Sequence, residues 1–128
     1  MSKLFSETIL LVDDEALLRQ LVRSILQTHG YTVLEASGGM DAIRICQRHE
    51  GPIHLLLTDV LMPGMNGQNL TEHVTALRPH ARVLYMSGCA DSTLLTLSER
   101  KTEIAFIQKP FTPDALARKV RAILGATR

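Results

Sequence analysis

The sequence predicts an α/β domain in which five parallel strands alternate with five helices that cover both faces of a single sheet. Short apolar runs, typical of strands buried on both faces, recur along the chain. Between these runs, apolar residues recur at the spacing of an amphipathic helix. Parallel strands need crossover connections, which are right-handed in nearly all cases, so the helices must lie on the two faces of the sheet.

The predicted strands differ in their polarity patterns. Residues 9–12 and 53–57 are apolar runs, the second interrupted by one histidine, and we expect both to be central strands. Residues 31–36 alternate in polarity, which is typical of an edge strand. Residues 82–86 and 104–107 are the two remaining candidates.

Helical periodicity is clearest after the first strand. The apolar positions there form one stripe, made of Leu18, Leu21, Val22, Ile25 and Leu26. Gly30 follows at a position that suits the end of a helix. A weaker helix is predicted after Gly38 and Gly39, with Ile43 and Cys46 on its apolar side.

Three further helices complete the alternation. One is marked by Leu70, Val74 and Leu77 and ends near Pro79, and a weaker one is predicted over 92–100. The last begins with a cap, a proline and an early acidic residue, which are Thr112, Pro113 and Asp114. Its apolar positions are Leu116, Val120 and Ile123.

Composition excludes several classes of protein. The 128 residues suit a single domain over 1–128, with tails at 1–6 and 125–128. A net charge of +1, spread along the chain, gives no basic patch, so we expect no nucleic-acid binding and no membrane contact. Cys46 and Cys89 form no CxxC pair, which argues against a zinc site or a disulfide framework. Without a signal peptide or a long apolar run, we expect a cytoplasmic protein.

Reactive side chains follow four of the predicted strands. Asp13 and Asp14 come after the first strand, Asp59 after the third, Ser87 after the fourth and Lys109 after the fifth. Ligands of open α/β sheets bind beyond the carboxyl ends of the strands, so we expect these groups to converge there. Carboxylates, a hydroxyl and an ammonium suit a divalent cation and a phosphoryl group.

Four sequence blocks resemble the signature blocks of a response-regulator receiver domain: ILLVDDE at 9–15, LLLTDVLMPGMNG at 55–67, LYMSG at 84–88 and FIQKPF at 106–111. The resemblance spans nearly the whole chain. It implies a flavodoxin-like, doubly wound fold with strand order 2-1-3-4-5. The segment from position 106 to 124 is particularly similar to the end of receivers attached to hybrid histidine kinases, which favours a receiver excised from such a kinase.

The resemblance also implies a phosphoacceptor and a metal site. Asp59 is expected to attack phosphorus and form an aspartyl phosphate, with a phosphohistidine of a histidine kinase or phosphotransfer domain as the donor. The implied cofactor is Mg²⁺ or Mn²⁺. Its implied ligands are Asp14 and Asp59 directly, Asp13 through water, and the backbone carbonyl of Leu61.

Further roles are implied for residues on the last two strands. Lys109, followed by a cis bond to Pro110, and Ser87 are expected to contact the phosphoryl oxygens. Receivers of this kind relay the movement of the serine to an aromatic residue, here Phe106. Its rotation reshapes the surface formed by the fourth helix, the fifth strand and the fifth helix, which is the expected partner surface. An aromatic residue on a strand is also commonly plain packing, so that alternative stays open.

Two positions depart from the commonest receiver pattern. Leu61 and Cys89 lie two residues after Asp59 and Ser87, where relatives often carry polar side chains near the attacking water. Weakly polar groups offer little to orient that water, so we expect both positions to affect the lifetime of the phosphoryl group, with slow dephosphorylation.

Two other functions compete with a phosphoacceptor receiver. Phosphatases of other aspartyl-nucleophile families have a DxD pair after the first strand, whereas Asp13 and Asp14 are adjacent. We therefore expect a signalling domain that catalyses only its own phosphorylation and dephosphorylation. A pseudo-receiver that only binds a partner would lack part of the acidic pair, the acceptor or the lysine, and none of these is missing.

Overall fold

The computed structural model describes residues 7–60, 67–87 and 105–125. The strands in these ranges are β1 (Thr8–Val12), β2 (Thr32–Ala36), β3 (Leu55–Asp59), β4 (Arg82–Ser87) and β5 (Ala105–Gln108). The helices are α1 (Ala16–Thr28), α2 (Gly39–Arg48), α3 (Gly67–Leu77) and α4 (Pro113–Gly125). The helix predicted over 92–100 lies outside the described residues, as do Leu61 and Cys89.

The strands form one parallel sheet in the order β2-β1-β3-β4-β5, which confirms the predicted fold and strand order. β3 begins two residues later than predicted, at Leu55, although Ile53 is buried as an apolar residue of that run should be. In the register of the sheet Asp59 is paired with Met86, and Ser87 with Gln108. The carboxyl ends of neighbouring strands are therefore level with one another.

Successive residues of the central strands enter different cores. Leu11 and Leu57 pack with α1 and α4 on one face, whereas Leu10 and Leu56 pack with α2 and α3 on the other. All four are fully buried, which confirms that β1 and β3 are central strands covered on both faces. The β2 residues before Ala36 are only partly buried or exposed, as expected of an edge strand.

Local signals end or begin two of the helices as predicted. Gly30 follows α1 with a φ of 93°, a left-handed conformation that favours glycine. At the start of α4, the Thr112 hydroxyl accepts a hydrogen bond of 3.0 Å from the backbone N–H of Ala115. Asp114 lies in the first turn of that helix, where an acidic side chain complements the helix dipole.

The predicted stripe of α1 is wrong at one position. Val22, Ile25 and Leu26 are buried, but Leu21 is 55% exposed and Leu17 is 83% exposed. Leu21 lies at the edge of the buried face of α1 and lines the same cavity as Phe111. The spacing of apolar residues indicates that Leu21 lies on the apolar side of the helix. It does not indicate whether neighbouring elements cover that position.

Arg78, for which the sequence predicted no role, stabilises the connection between α2 and β3. Its guanidinium donates hydrogen bonds to three backbone carbonyls, those of Cys46, His49 and Gly51. These carbonyls lie at and beyond the end of α2, where a helix leaves carbonyl groups without intrahelical partners. None of the helices in the described part of the chain is long and apolar enough to cross a membrane.

Candidate functional site

Three carboxylates meet at the carboxyl edge of the sheet. Asp13 and Asp14 follow β1, and Asp59 is the last residue of the adjacent β3. One oxygen from each of the three lies within 4.8 Å of the others. The predicted convergence of these side chains is therefore confirmed. Asp13 is buried, Asp59 is half-buried and Asp14 is exposed, so the group is open to solvent on one side.

Asp13 is the most constrained of the three. Its side chain is inaccessible to solvent, and its Oδ1 accepts a hydrogen bond of 2.8 Å from the backbone N–H of Glu15. Its Oδ2 has no hydrogen-bond partner among the described residues. Burial raises the pKa of this carboxyl, and the negative charges of Asp59 and Asp14 raise it further. The Glu15 hydrogen bond and the Lys109 charge lower the same pKa but do not outweigh burial.

The backbone of Asp13 is held by β2 and α1. Its N–H donates to Ala36 O at 3.2 Å, and its carbonyl oxygen accepts a 2.7 Å hydrogen bond from Arg19 Nη1. Arg19 Nε also donates to Glu35 Oε1 at 3.1 Å, and Arg23 pairs with the other oxygen of Glu35. These contacts were not predicted from the sequence. Their only signals were an arginine one turn into α1 and a glutamate on the alternating strand.

Lys109 supplies a positive charge to the acidic group. Its Nζ lies 2.8 Å from Asp59 Oδ2, and both side chains are largely shielded from solvent. The backbone N–H of Lys109 donates to Ser87 O at 2.7 Å, which fixes the lysine to the end of the neighbouring β4. The peptide bond between Lys109 and Pro110 is cis, as the resemblance implied.

The two predicted switch residues lie in different environments. Ser87 ends β4 at the carboxyl edge and is 2% exposed. Phe106 lies on β5 in register with Tyr85 and is 41% exposed. Tyr85 itself is buried, and its hydroxyl is hydrogen-bonded to Thr71 of α3 at 2.8 Å. Burial raises the pKa of Tyr85, so this phenol stays neutral.

This combination of fold and edge chemistry matches one protein family. The family model of the response regulator receiver domain matches residues 9–121. The chain belongs to that family. The receiver is a module of two-component signalling, and the resemblance seen in the sequence is thereby confirmed.

Relatives include proteins of very different length. The sensor kinase CckA of Brucella abortus (strain 2308) is 33% identical over 119 residues, which are 93% of this chain and 13% of the kinase. The response regulator receiver protein CpdR of the same organism is 30% identical over 116 residues, which are 91% of this chain and 95% of CpdR. The chain thus spans a small part of one relative and nearly all of the other.

Solved structures agree with the fold. A response regulator receiver protein from Sinorhizobium medicae WSM419 matches with a TM-score of 0.83 and 29% identity, covering 98% of this chain and 99% of that one. The receiver domain from the hybrid histidine kinase CckA matches with a TM-score of 0.76 and 32% identity, covering 91% and 98%. The predicted similarity to receivers of hybrid kinases is therefore confirmed.

Proposed function

We propose that this chain is the phosphoacceptor module of a two-component phosphorelay, in which Asp59 takes a phosphoryl group from a phosphohistidine with the help of Mg²⁺. The observation that carries the proposal is the 2.8 Å contact between Lys109 Nζ and Asp59 Oδ2 beside two further carboxylates. One carboxylate is thereby held next to a cation, at an edge that is open to solvent.

The acidic group fits a small divalent cation. Its donors are carboxylate oxygens, which Mg²⁺ and Mn²⁺ prefer. The buried Oδ2 of Asp13 has no partner among the described residues, and a metal-bound water would supply one. We assign Asp14 and Asp59 as direct ligands, Asp13 as a ligand through water, and the carbonyl of Leu61 as a further ligand. The bound cation supplies charge that offsets repulsion between Asp59 and the incoming phosphoryl group.

The transfer itself requires one bond to form and one to break. A carboxylate oxygen of Asp59 attacks phosphorus, and the bond between phosphorus and the donor imidazole nitrogen breaks. The nitrogen keeps the electron pair, and the donor leaves as a neutral histidine because the other ring nitrogen of the reacting phosphohistidine carries a proton. Dephosphorylation then consumes one water, releases inorganic phosphate and restores the Asp59 carboxylate.

Lys109 and Ser87 stabilise the transferred phosphoryl group; they do not activate the attacking oxygen of Asp59. Phosphoryl transfer depends mainly on positioning and on stabilising the charge of the equatorial oxygens. Because Lys109 lies against the acceptor, its ammonium is close enough to contact an equatorial oxygen of the new phosphoryl group. Ser87 ends β4, the strand next to the one that carries Asp59. Its hydroxyl donates a hydrogen bond to another oxygen of the phosphoryl group.

The phosphodonor partner approaches at the open side of this edge. Leu17 and Leu21 of α1 are exposed there, and Leu21 borders the segment that follows Lys109. Because Leu21 lines a cavity together with Lys109, we assign the exposed leucines to the contact with the histidine kinase or phosphotransfer domain. The output surface is a separate one that includes β5 and α4; the fourth helix predicted to complete it lies outside the described residues. Phe106 is its switch residue and rotates inward after Ser87 moves.

Intact-mass analysis tests the proposal. The wild-type chain is incubated with a small acyl phosphate, with and without Mg²⁺, beside the Asp59→Asn variant. We expect the mass of one phosphoryl group to be added to the wild type only with Mg²⁺, and no addition to Asp59→Asn. An unmodified wild type would indicate a pseudo-receiver that acts only by binding partners, and equal modification of Asp59→Asn would place the acceptor elsewhere.

A further inference from the structure

Arg19 contacts the backbone of the acidic loop rather than its carboxylates. Its Nη1 donates a 2.7 Å hydrogen bond to the carbonyl oxygen of Asp13, in the peptide that joins Asp13 to Asp14. Its Nε donates to Glu35 Oε1 at 3.1 Å, so the guanidinium bridges this peptide and β2. The Arg19 side chain is only 18% exposed, which limits competition from water for these bonds.

The other groups of Asp13 are held as firmly. Its N–H donates to Ala36 O of β2 at 3.2 Å, and its Oδ1 accepts from Glu15 N–H at 2.8 Å. With Arg19 on the carbonyl oxygen, the N–H, the carbonyl and one carboxylate oxygen of Asp13 each have a partner. Of these three, the Arg19 contact is made by a side chain and can be removed by substitution.

We infer that Arg19 is a positioning residue for the cation site: anchored by Glu35, it sets the orientation of the peptide between Asp13 and Asp14. The inference rests on the proposed function, because it requires that these carboxylates take up Mg²⁺. Interactions that orient metal ligands from outside typically change metal affinity by about 10–100-fold when they are removed.

Electrostatics and geometry predict opposite effects of removing Arg19. Loss of a positive charge near three carboxylates strengthens their attraction for a divalent cation. Weaker binding after removal of Arg19 therefore reports lost positioning. Arg23 provides the matched control, since it lies on the same helix, carries the same charge and also pairs with Glu35. Among the described residues, its hydrogen bond is to Glu35 and not to Asp13.

NMR titration of backbone amides, with Mg²⁺ alone and with Ca²⁺ alone at constant ionic strength, measures the two affinities. For Arg19→Met we expect a loss of about tenfold in Mg²⁺ affinity. The loss for Ca²⁺ should be smaller, because Ca²⁺ accepts irregular geometry whereas Mg²⁺ demands near-octahedral coordination. Arg23→Met should keep the wild-type ratio of the two affinities. Arg19→Lys should recover part of the Mg²⁺ affinity, because one ammonium can bond the carbonyl but cannot also bridge Glu35 as the planar fork does.

Two outcomes overturn the inference while leaving the proposed function intact. In one, wild type and Arg19→Met bind Mg²⁺ equally well. In the other, Arg19→Met loses affinity for both cations by the same factor, as a general loosening of the fold would produce. If Arg19→Met does not fold, Glu35→Gln keeps Arg19 but weakens its anchor, and an unchanged Mg²⁺/Ca²⁺ ratio in that variant contradicts the inference. If wild type neither binds Mg²⁺ nor is phosphorylated, the proposed function fails, and the inference fails with it.

Discussion

At the amino end of the sheet, His54 and Arg78 bond to backbone groups, whereas at the carboxyl end three carboxylates lie together and Lys109 contacts one of them. His54 precedes β3, and its Nδ1 accepts a 2.9 Å hydrogen bond from the backbone N–H of Thr8. Arg78 satisfies carbonyls of the loop that leads to the same strand. At the opposite end, Asp13 is buried with one oxygen that has no partner among the described residues.

The polar groups at the two ends differ in their roles. Those at the amino end stabilise the fold, whereas those at the carboxyl end are suited to bind a ligand. A buried polar group that is fully bonded adds to stability, whereas one without a partner lowers it. The amino end therefore contributes to the free energy of unfolding in the metal-free protein. If the proposed function holds, we expect the carboxyl end to reduce that free energy until a cation binds, in accordance with the usual exchange of stability for function at binding sites. Four substitutions test this difference.

The largest effect is expected at the amino end. Arg78→Met removes the donors of three backbone carbonyls, so we expect the free energy of unfolding to fall by about 2–4 kcal/mol. Urea unfolding measures it, and Mg²⁺ affinity should not change. Arg44→Met is the control, because Arg44 is exposed and makes only a surface ion pair, worth about 0–1 kcal/mol. Equal losses in the two variants would show that the hydrogen bonds from Arg78 do not contribute to the free energy of unfolding.

At the carboxyl end, removal of the lysine should destabilise the metal-free protein. Lys109→Met leaves three carboxylates without the cation that contacts Asp59, and we expect a loss of about 2 kcal/mol, between the values for exposed and buried pairs. Mg²⁺ should restore more stability to this variant than to the wild type. Urea unfolding with and without Mg²⁺ measures both, and a stability that does not respond to Mg²⁺ would contradict the expectation.

Removal of one carboxylate should have the opposite sign. Asp13→Asn keeps an oxygen for the Glu15 N–H but deletes a buried charge, so we expect the metal-free protein to gain about 1–2 kcal/mol at neutral pH. The pKa of Asp13 is raised in the folded state, so the wild type loses stability as the pH rises from the ordinary pKa of an aspartate through this raised pKa. The gain should therefore shrink as the pH falls through the raised pKa of Asp13 and be smallest below the ordinary pKa of an aspartate. Thermal unfolding at several pH values measures it, and a destabilised variant at neutral pH would contradict the contrast.

The smallest effect is expected at His54. His54→Leu leaves the N–H of Thr8 without its acceptor, and we expect a loss of about 1 kcal/mol. His54→Asn keeps an acceptor near the same place and should lose less. Mg²⁺ titration should not distinguish either variant from wild type, because the site lies at the other end of the sheet. A changed Mg²⁺ affinity would show that the two ends are coupled.

Much of the fold was predictable because its signals are local. Apolar runs at β1 and β3 indicated burial on both faces, and Thr112 and Gly30 marked helix ends through their own backbone chemistry. The order of the strands was different, since nothing in the residues of one strand specifies its neighbours. That order came from the family resemblance and was then confirmed.

The residues of the site also fall into those that the sequence predicted and those that it did not. Asp13, Asp14, Asp59 and Lys109 were predicted because each lies at or just after the end of a strand, and parallel strands bring such positions to one edge. The contacts that Arg19 and Arg78 make with backbone carbonyls were missed. A carbonyl is present at every position, so the sequence carries no sign of which one an arginine will reach.

The sequence by itself determined the alternation of strands and helices, the two-sided burial of β1 and β3, and the presence of an acidic, cationic and hydroxylic set after the strands. Only the tertiary structure decided that one oxygen of Asp13 is buried without a partner among the described residues, that Arg19 holds its carbonyl, and that Leu21 faces solvent. The physical reason is that periodicity records which side of an element is apolar. Hydrogen bonds and exposure depend instead on how packed elements meet, at distances and angles that no local pattern contains.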